Sequence, residues 1–338
     1  MGAEIGDGEL GERLAARTLE LVDIPSQSRA EGPIAAHVIE LLGARDLGDG
    51  CVLAGSGAPV LLAGHLDTVP TQGNLPGRRD AERVHGLGAS DMKGAVAVMI
   101  ELALAGAAFD YLFFGREELP ASDSALTPLL RRETLDYELV VMMEPTDNAI
   151  HAGCLGNINA TWSFTGRAGH SARPWHADNA IHKMARAIAP FSELEPVEHE
   201  FEGLRFSEVA SVTMISGGIA TNVVPGSASC EVNFRYAPGR TPEEAEARLA
   251  ELCPGELVVT SNSPSGPVPM GNPHVDRLRA TLEWAPKQAW TPVAEFGRAG
   301  LDAINFGPGS PAQAHQAAEF VEIGRLVEAY RVLEAFAA

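Results

Sequence analysis

Two apolar patterns alternate along the chain. Short unbroken runs, at 59–63 (PVLLA), 111–114 (YLFF) and 138–143 (ELVVMM), predict strands covered on both faces of a sheet. Longer stretches with helical spacing predict helices over 10–23, 33–42, 92–104 and 323–336, the first ended by Pro25 and the Ser26-Gln27-Ser28 cluster. From about Gly156 the pattern changes. Residues 157–165 alternate like a half-exposed strand, 179–188 read as a helix, and 209–215 and 229–235 as strands. A helix over 241–252 carries Thr241 as N-cap and Pro242 at its first position. This α+β block reads as an insertion, with the PSGPVP segment at 264–269 as its exit. A helix near 275–282, a strand at 303–306 and a loop bearing His315 follow. The expected fold class is α/β: a mostly parallel sheet flanked by helices over 1–155 and 266–338, with an inserted α+β domain at 156–265.

Composition narrows the classes. The chain has 338 residues, suited to two domains, with 45% hydrophobic residues and a mean hydropathy near zero, as in globular proteins. A formal charge of −20 argues against a nucleic-acid partner, which needs a basic face. Cys51, Cys154, Cys230 and Cys253 form no CxxC pair, so buried free thiols are expected. The one membrane-like stretch, 94–114, is interrupted by Glu101 and Asp110 and splits into a helix and a strand, so no membrane partner is expected. The first 25 residues are acidic and amphipathic, unlike a secretion signal, which makes the expected localisation cytoplasmic and leaves the sequon at Asn159 unglycosylated.

Five metal-friendly side chains sit in short motifs that end strands or loops: His65 in GHLDTVP, Asp91 in GASDMKG, Glu118 in REELP, Glu144 in MMEPT and His315 in PAQAHQ. Two imidazoles and three carboxylates suit a pair of divalent ions sharing one carboxylate, an arrangement that activates water and polarises an acyl carbonyl. Taken singly, each has a plainer reading. His65 and Asp67 share a face of an extended segment, as a ligand and its orienting acid would, or as a pair satisfying a strand end. Glu117-Glu118 is either a solvated charge pair or a proton shuttle beside a ligand. Asp91 could cap the helix that follows. The joint occurrence at successive strand ends favours the dinuclear reading. GxGxxG, GxSxG, HExxH and P-loop patterns are missing, which removes the nucleotide, serine-hydrolase and single-zinc protease classes.

With GRAGHSARPW (166–175), ISGGIATNVVP (215–225), NFRYAPGRTPEEAEARL (233–249) and NFGPGSPAQAH (305–315), these motifs follow a family order. The chain resembles the co-catalytic zinc metallopeptidases that include carboxypeptidases, aminoacylases, acetylornithine deacetylase and, nearest in these motifs, the succinyl-diaminopimelate desuccinylases of actinobacterial type. The resemblance implies that His65 and Glu144 hold one zinc, Glu118 and His315 the other, and Asp91 both, with cobalt or manganese as alternatives in the second position. It implies that Asp67 orients His65, that Glu117 is the general base and acid, and that His170 stabilises an oxyanion across a homodimer formed by the inserted domain. Thr221, Asn222, Arg235 and Arg173 fall where the family contacts its acylated amino-acid substrate. The implied reaction is hydrolysis of N-succinyl-LL-2,6-diaminopimelate in lysine and cell-wall precursor biosynthesis. The alternatives are another deacylase or carboxypeptidase on the same scaffold, or a non-catalytic binding protein. One stretch departs from the family pattern Thr-Asp-Val-Ala-Arg-Phe: here it reads Thr291-Pro292-Val293-Ala294-Glu295-Phe296, which bears on how an anionic substrate would be read.

Overall fold

The computed structural model describes residues 5–120 and 123–337. The chain divides into two compact units, Met1–Gly153 with Val268–Ala285 and Thr291–Ala338, and Cys154–Pro267 with Pro286–Trp290.

The first unit is built on an eight-stranded sheet. Its strands are β1 (Arg45–Gly48), β2 (Cys51–Ala54), β3 (Val60–His65), β6 (Asp110–Phe114), β7 (Leu139–Met142), β8 (Ile150–Ala152), β16 (Trp284–Pro286) and β17 (Ala303–Asn305), in the order β1-β2-β6-β3-β7-β17-β8-β16. The central four, β6-β3-β7-β17, run parallel, with Leu62 opposite Tyr111 and Val141; β1, β2 and β8 pair antiparallel at the flanks. Every position of β3, β6 and β7 is buried, so the apolar runs are covered on both faces. The cover comes from two helix groups. Helices α1 (Asp7–Val22), α2 (Gly32–Leu42), α3 (Gly94–Leu104) and α9 (Ile323–Ala337) pack on one another, with α3 on β3 and β6. Helix α4 (Leu126–Arg132) packs on α8 (Val293–Arg298), and α8 packs on β7 and β17. A small sheet of β4 (Arg78–Arg79), β5 (Arg83–His85) and β18 (Phe320–Glu322) and helix α7 (Pro273–Arg279) complete the unit.

Three expected helix starts move by two residues or more. Helix α1 starts earlier, where Asp7 and Glu9 place negative charge on its first turn. Helix α7 starts at Pro273 because Asn272 caps it, accepting from the amides of His274 and Val275. The helix expected from Met92 begins at Gly94, since Asp91 (φ −124°) and Met92 (φ −135°) are not helical; Asp91 therefore does not cap it, and the Asp91–Met92 peptide is cis.

The second unit carries a five-stranded antiparallel sheet. Its order is β11 (Val197–Phe201), β12 (Leu204–Gly217), β14 (Ser227–Tyr236), β9 (Gly156–Thr165) and β15 (Glu256–Ser263). Buried and half-buried residues alternate along β9 and β14, and α5 (Ala180–Ile188) and α6 (Pro242–Leu252) cover the buried face, closing a core around Trp162, Phe234, Tyr236, Met184 and Leu249. Thr241 caps α6 as expected, in a reciprocal box with Glu244. The short ribbon β10 (Gly169–His170) with β13 (Val223–Val224) stands apart from this sheet. Residues 286–290, expected in the first domain, belong here: the Ala289 carbonyl accepts from Leu155, and Trp290 donates its ring nitrogen to the Pro264 carbonyl.

Candidate metal centre

The parallel strands deliver their chemistry at one edge, where open α/β sheets place their sites. His65 is the last residue of β3, Glu117 and Glu118 follow β6, and Glu144 follows β7. Asp91 comes from the turn before α3, and His315 (φ 61°) from the loop after β17. Gly307 lets that loop run against β7: a Cβ there would lie 2.5 Å from the Met143 carbonyl oxygen and 2.6 Å from that of Glu144.

The side chains converge. His65 Nε2 lies 3.1 Å from Asp91 Oδ1, while His315 Nε2 lies 3.7 Å from Asp91 Oδ2 and 2.9 Å from Glu118 Oε2. Ligand atoms of His65, Asp91 and Glu144 fall within 4.8 Å of one another, as do those of Asp91, Glu118 and His315, and those of His65, Glu117 and Glu118. Asp91 thus belongs to two overlapping sets and turns one oxygen to each imidazole. Oxygen and imidazole nitrogen donors at this spacing suit divalent first-row ions.

The local field asks for positive charge. Burial opposes an imidazolium at His65, yet hydrogen bonds with Asp67 and Asp91 and the nearby Glu117 carry its pKa well above the ordinary value. The Glu118 carboxylate, against some desolvation, lifts His315 to about 9. Burial, and then repulsion from Glu144, push Glu117 well above the usual carboxylate range. A cluster that draws protons onto its histidines and onto Glu117 is one that cations would neutralise.

Asp67 does more than its spacing suggested. Its main-chain carbonyl, 3.0 Å from His65 Nδ1, is the nearer orienting acceptor, and its carboxylate Oδ1 lies at 3.6 Å. That carboxylate instead accepts the amides of Glu117 (3.0 Å) and Glu118 (3.1 Å) and the hydroxyl of Ser28 (2.7 Å). Despite full burial, the His65 imidazole first, then the Ser28 hydroxyl and the Glu117 amide, hold Asp67 below the usual carboxylate range. Thr146 likewise anchors the His315 loop, exchanging hydrogen bonds with Gly307. Sequence reasoning gave Ser28 and Thr146 no role in the site, although Thr146 closes the MMEPT motif and Ser28 ends the cluster after the first helix.

The expected substrate residues all lie in the second unit, whereas the cluster is built of first-unit residues alone. His170 and Arg173 are exposed beside exposed Thr221 and Asn222, where Ser171 donates to the Asn222 carbonyl. Half-buried Arg235 lies on β14 of the main sheet in that unit, where its Nε donates to Asn233. Glu295 is buried in the first unit among Ser124 and Thr127, both of which hydrogen-bond its carboxylate.

Residues 153–260 match the family model of a peptidase dimerisation domain, the M20 type. Over 340 residues the chain is 34% identical to a putative succinyl-diaminopimelate desuccinylase of Mycobacterium tuberculosis, covering 94% of this chain and 96% of that one. The chain belongs to the M20 peptidase family. This M20 chain is also 30% identical over 354 residues to a succinyl-diaminopimelate desuccinylase of Corynebacterium glutamicum, with 94% of each covered. The M20 fold is further seen in the likeness to a metallo-carboxypeptidase from Sulfolobus solfataricus, at a TM-score of 0.73 and 16% identity over 96% of this chain and 98% of that one. As an M20 peptidase the chain is a metal-dependent amide hydrolase.

Proposed function

We propose that this chain hydrolyses N-succinyl-LL-2,6-diaminopimelate to succinate and LL-diaminopimelate, using two divalent ions, zinc by preference. The observation that carries the reading is the aspect of Asp91, one carboxylate oxygen at the His65 imidazole and the other at His315. His65 and Glu144 would hold one ion, Glu118 and His315 the second, and Asp91 both. When bound, the pair would lower the pKa of an attacking water towards neutrality and polarise the acyl carbonyl.

The chain's own residues supply the rest. Glu117, whose proton affinity burial and neighbouring acids hold high, would take the water's proton and return it to the leaving amine. Asp67 fixes the main chain of that base, and its carbonyl fixes the ring of His65. In a homodimer formed by the second unit, His170 would serve the neighbouring chain's site, donating to the developing oxyanion; such a donor is worth about 3–4 kcal/mol. The matched dimerisation domain supports that assembly, as do the exposed Met214, Ile215 and Ile219. Thr221, Asn222, Arg173 and Arg235 would read the substrate's carboxylates. A cytoplasmic location, supported by four buried thiols in no disulfide, completes the proposal; no described helix is long and apolar enough to cross a membrane.

The test is a substrate panel with metal-loaded protein: succinyl-diaminopimelate, acetylornithine and a dipeptide. We expect kcat/KM for the succinyl compound to exceed the others by at least about tenfold, which is ~1.4 kcal/mol of transition-state discrimination. A preference for acetylornithine or the dipeptide would overturn the substrate assignment and keep the hydrolase.

A further inference from the structure

Glu319 lies outside the ligand set, four residues after His315, and is 2% exposed. Its carboxylate takes three main-chain amides from the turn that presents Asp91: Gly88 to Oε2 at 2.9 Å, and Ser90 and Asp91 to Oε1 at 2.9 and 3.0 Å. Its own carbonyl accepts the Gly86 amide at 3.1 Å, and its amide closes a turn on the Gln316 carbonyl at 3.2 Å. One residue thus grips the whole 86–91 segment while it is tied by a four-residue turn to His315.

A second seam runs alongside. The Ser90 hydroxyl accepts from the Ser310 amide at 2.8 Å and donates to the Ser310 carbonyl at 3.1 Å. The strands of this seam are so close that a Cβ on Gly309 would sit 2.1 Å from the Ser90 carbonyl oxygen. Beside this seam the Gly88, Ser90 and Asp91 amides are met by the two oxygens of one buried carboxylate. Gln would turn an amide NH2 toward one set of N–H donors, and Asp would fall a methylene short.

We propose that Glu319 is a positioning residue: by clamping the main chain of 88–91 from the loop of His315, it holds Asp91 and His315 in register for the second ion. The inference rests on the reading of Asp91 and His315 as shared-site ligands, and it deepens that reading. Its consequence is selective. His65 and Glu144 lie outside the two segments that Glu319 joins, so the first set has one clamped member, Asp91, whereas the Asp91–Glu118–His315 set has two, Asp91 and His315. Loss of the clamp should weaken the second ion before the first.

The experiment compares Glu319→Gln, Glu319→Asp and, as a matched control, Asp110→Asn. Asp110 is also buried and accepts main-chain amides, from Ser56, Gly57 and Ala58, but opens β6 at the far end of the strand. Stepwise Zn²⁺ binding is followed by calorimetry against a competing chelator, and kcat and KM are measured on the zinc-saturated proteins. For Glu319→Gln we expect the second zinc to bind about 10- to 100-fold more weakly, kcat to fall by a similar factor, and KM and the first zinc to stay within about twofold. Glu319→Asp, which keeps the charge, should show the same split in smaller measure and decides the matter if the Gln protein does not fold. Asp110→Asn should bind both zincs as the parent does. Unchanged binding of the second zinc in the Glu319 variants, or equal weakening of both zincs there and in Asp110→Asn, would overturn the proposal. Because the zinc readout needs no substrate, a wrong acyl group in the substrate panel leaves it intact, and a parent that binds no second zinc sinks the shared-site reading instead.

Discussion

The two ends of β6 place the same chemical group in opposite surroundings. At its start Asp110, 5% exposed, is enclosed by amides of the 56–58 turn and by the Tyr137 hydroxyl, so its charge is met by dipoles of the protein itself. Past its end half-buried Glu117 faces Glu144, Glu118 and Asp91, with His65 opposing them. One end is electrostatically complete in the polypeptide; the other is complete only with cations. Burial of a carboxylate is thus uninformative by itself, and what it faces decides whether it serves stability or chemistry.

The largest effect that could break this contrast is at Glu117. Glu117→Gln should lower kcat by about 10²- to 10⁴-fold while leaving two equivalents of metal bound, as elemental analysis of the purified protein would report. A variant that retains activity within tenfold would show that the proton moves elsewhere. At the opposite end, Asp110→Asn removes a carboxylate oxygen that the amides of the 56–58 turn donate to. It should reduce unfolding free energy by about 1–3 kcal/mol in urea titration, with kcat per folded molecule unchanged. A loss of activity there would mean the two ends are coupled.

The smallest effect concerns Glu295, a buried acid hydrogen-bonded by two hydroxyls. Burial raises its pKa above 4.5, and the hydrogen bonds from Thr127 and Ser124 only partly oppose this. The fold therefore binds this proton more tightly than the unfolded chain does. Its stabilising contribution is full below 4.5 and is lost as pH rises through the displaced value, at about 1.4 kcal/mol per unit of displacement. Glu295→Gln should remove that trend, so parent and variant stabilities, compared by denaturant titration across this range, should converge or cross as pH rises. Parallel curves would show that the carboxylate is not desolvated.

Much of this could be read from the chain because the informative residues interrupt strong patterns. An unbroken apolar run such as 59–63 declares a doubly covered strand, and a histidine or acid at its end stands out. The Thr241-Pro242 helix start was legible for the same reason, since its capping partners lie three residues apart. What escaped was short or non-local. Strands β1 and β2 are four residues long, too brief to show a period. The start of α3 at Gly94 depends on backbone angles at Asp91 and Met92 that their side chains do not announce. Ser28, Thr146 and Glu319 act on hydrogen-bonding groups remote in sequence, and a serine, threonine or glutamate in a loop is common enough to pass unnoticed.

Asp67 holds Glu117 and Glu118 by their amides, not by their side chains. The mooring is therefore indifferent to which residues occupy those two places. Exchanging the side chain at 117 for another proton carrier leaves the rope attached, so the chemistry at this edge is free to be retuned by single substitutions without the scaffold having to be rebuilt around each one.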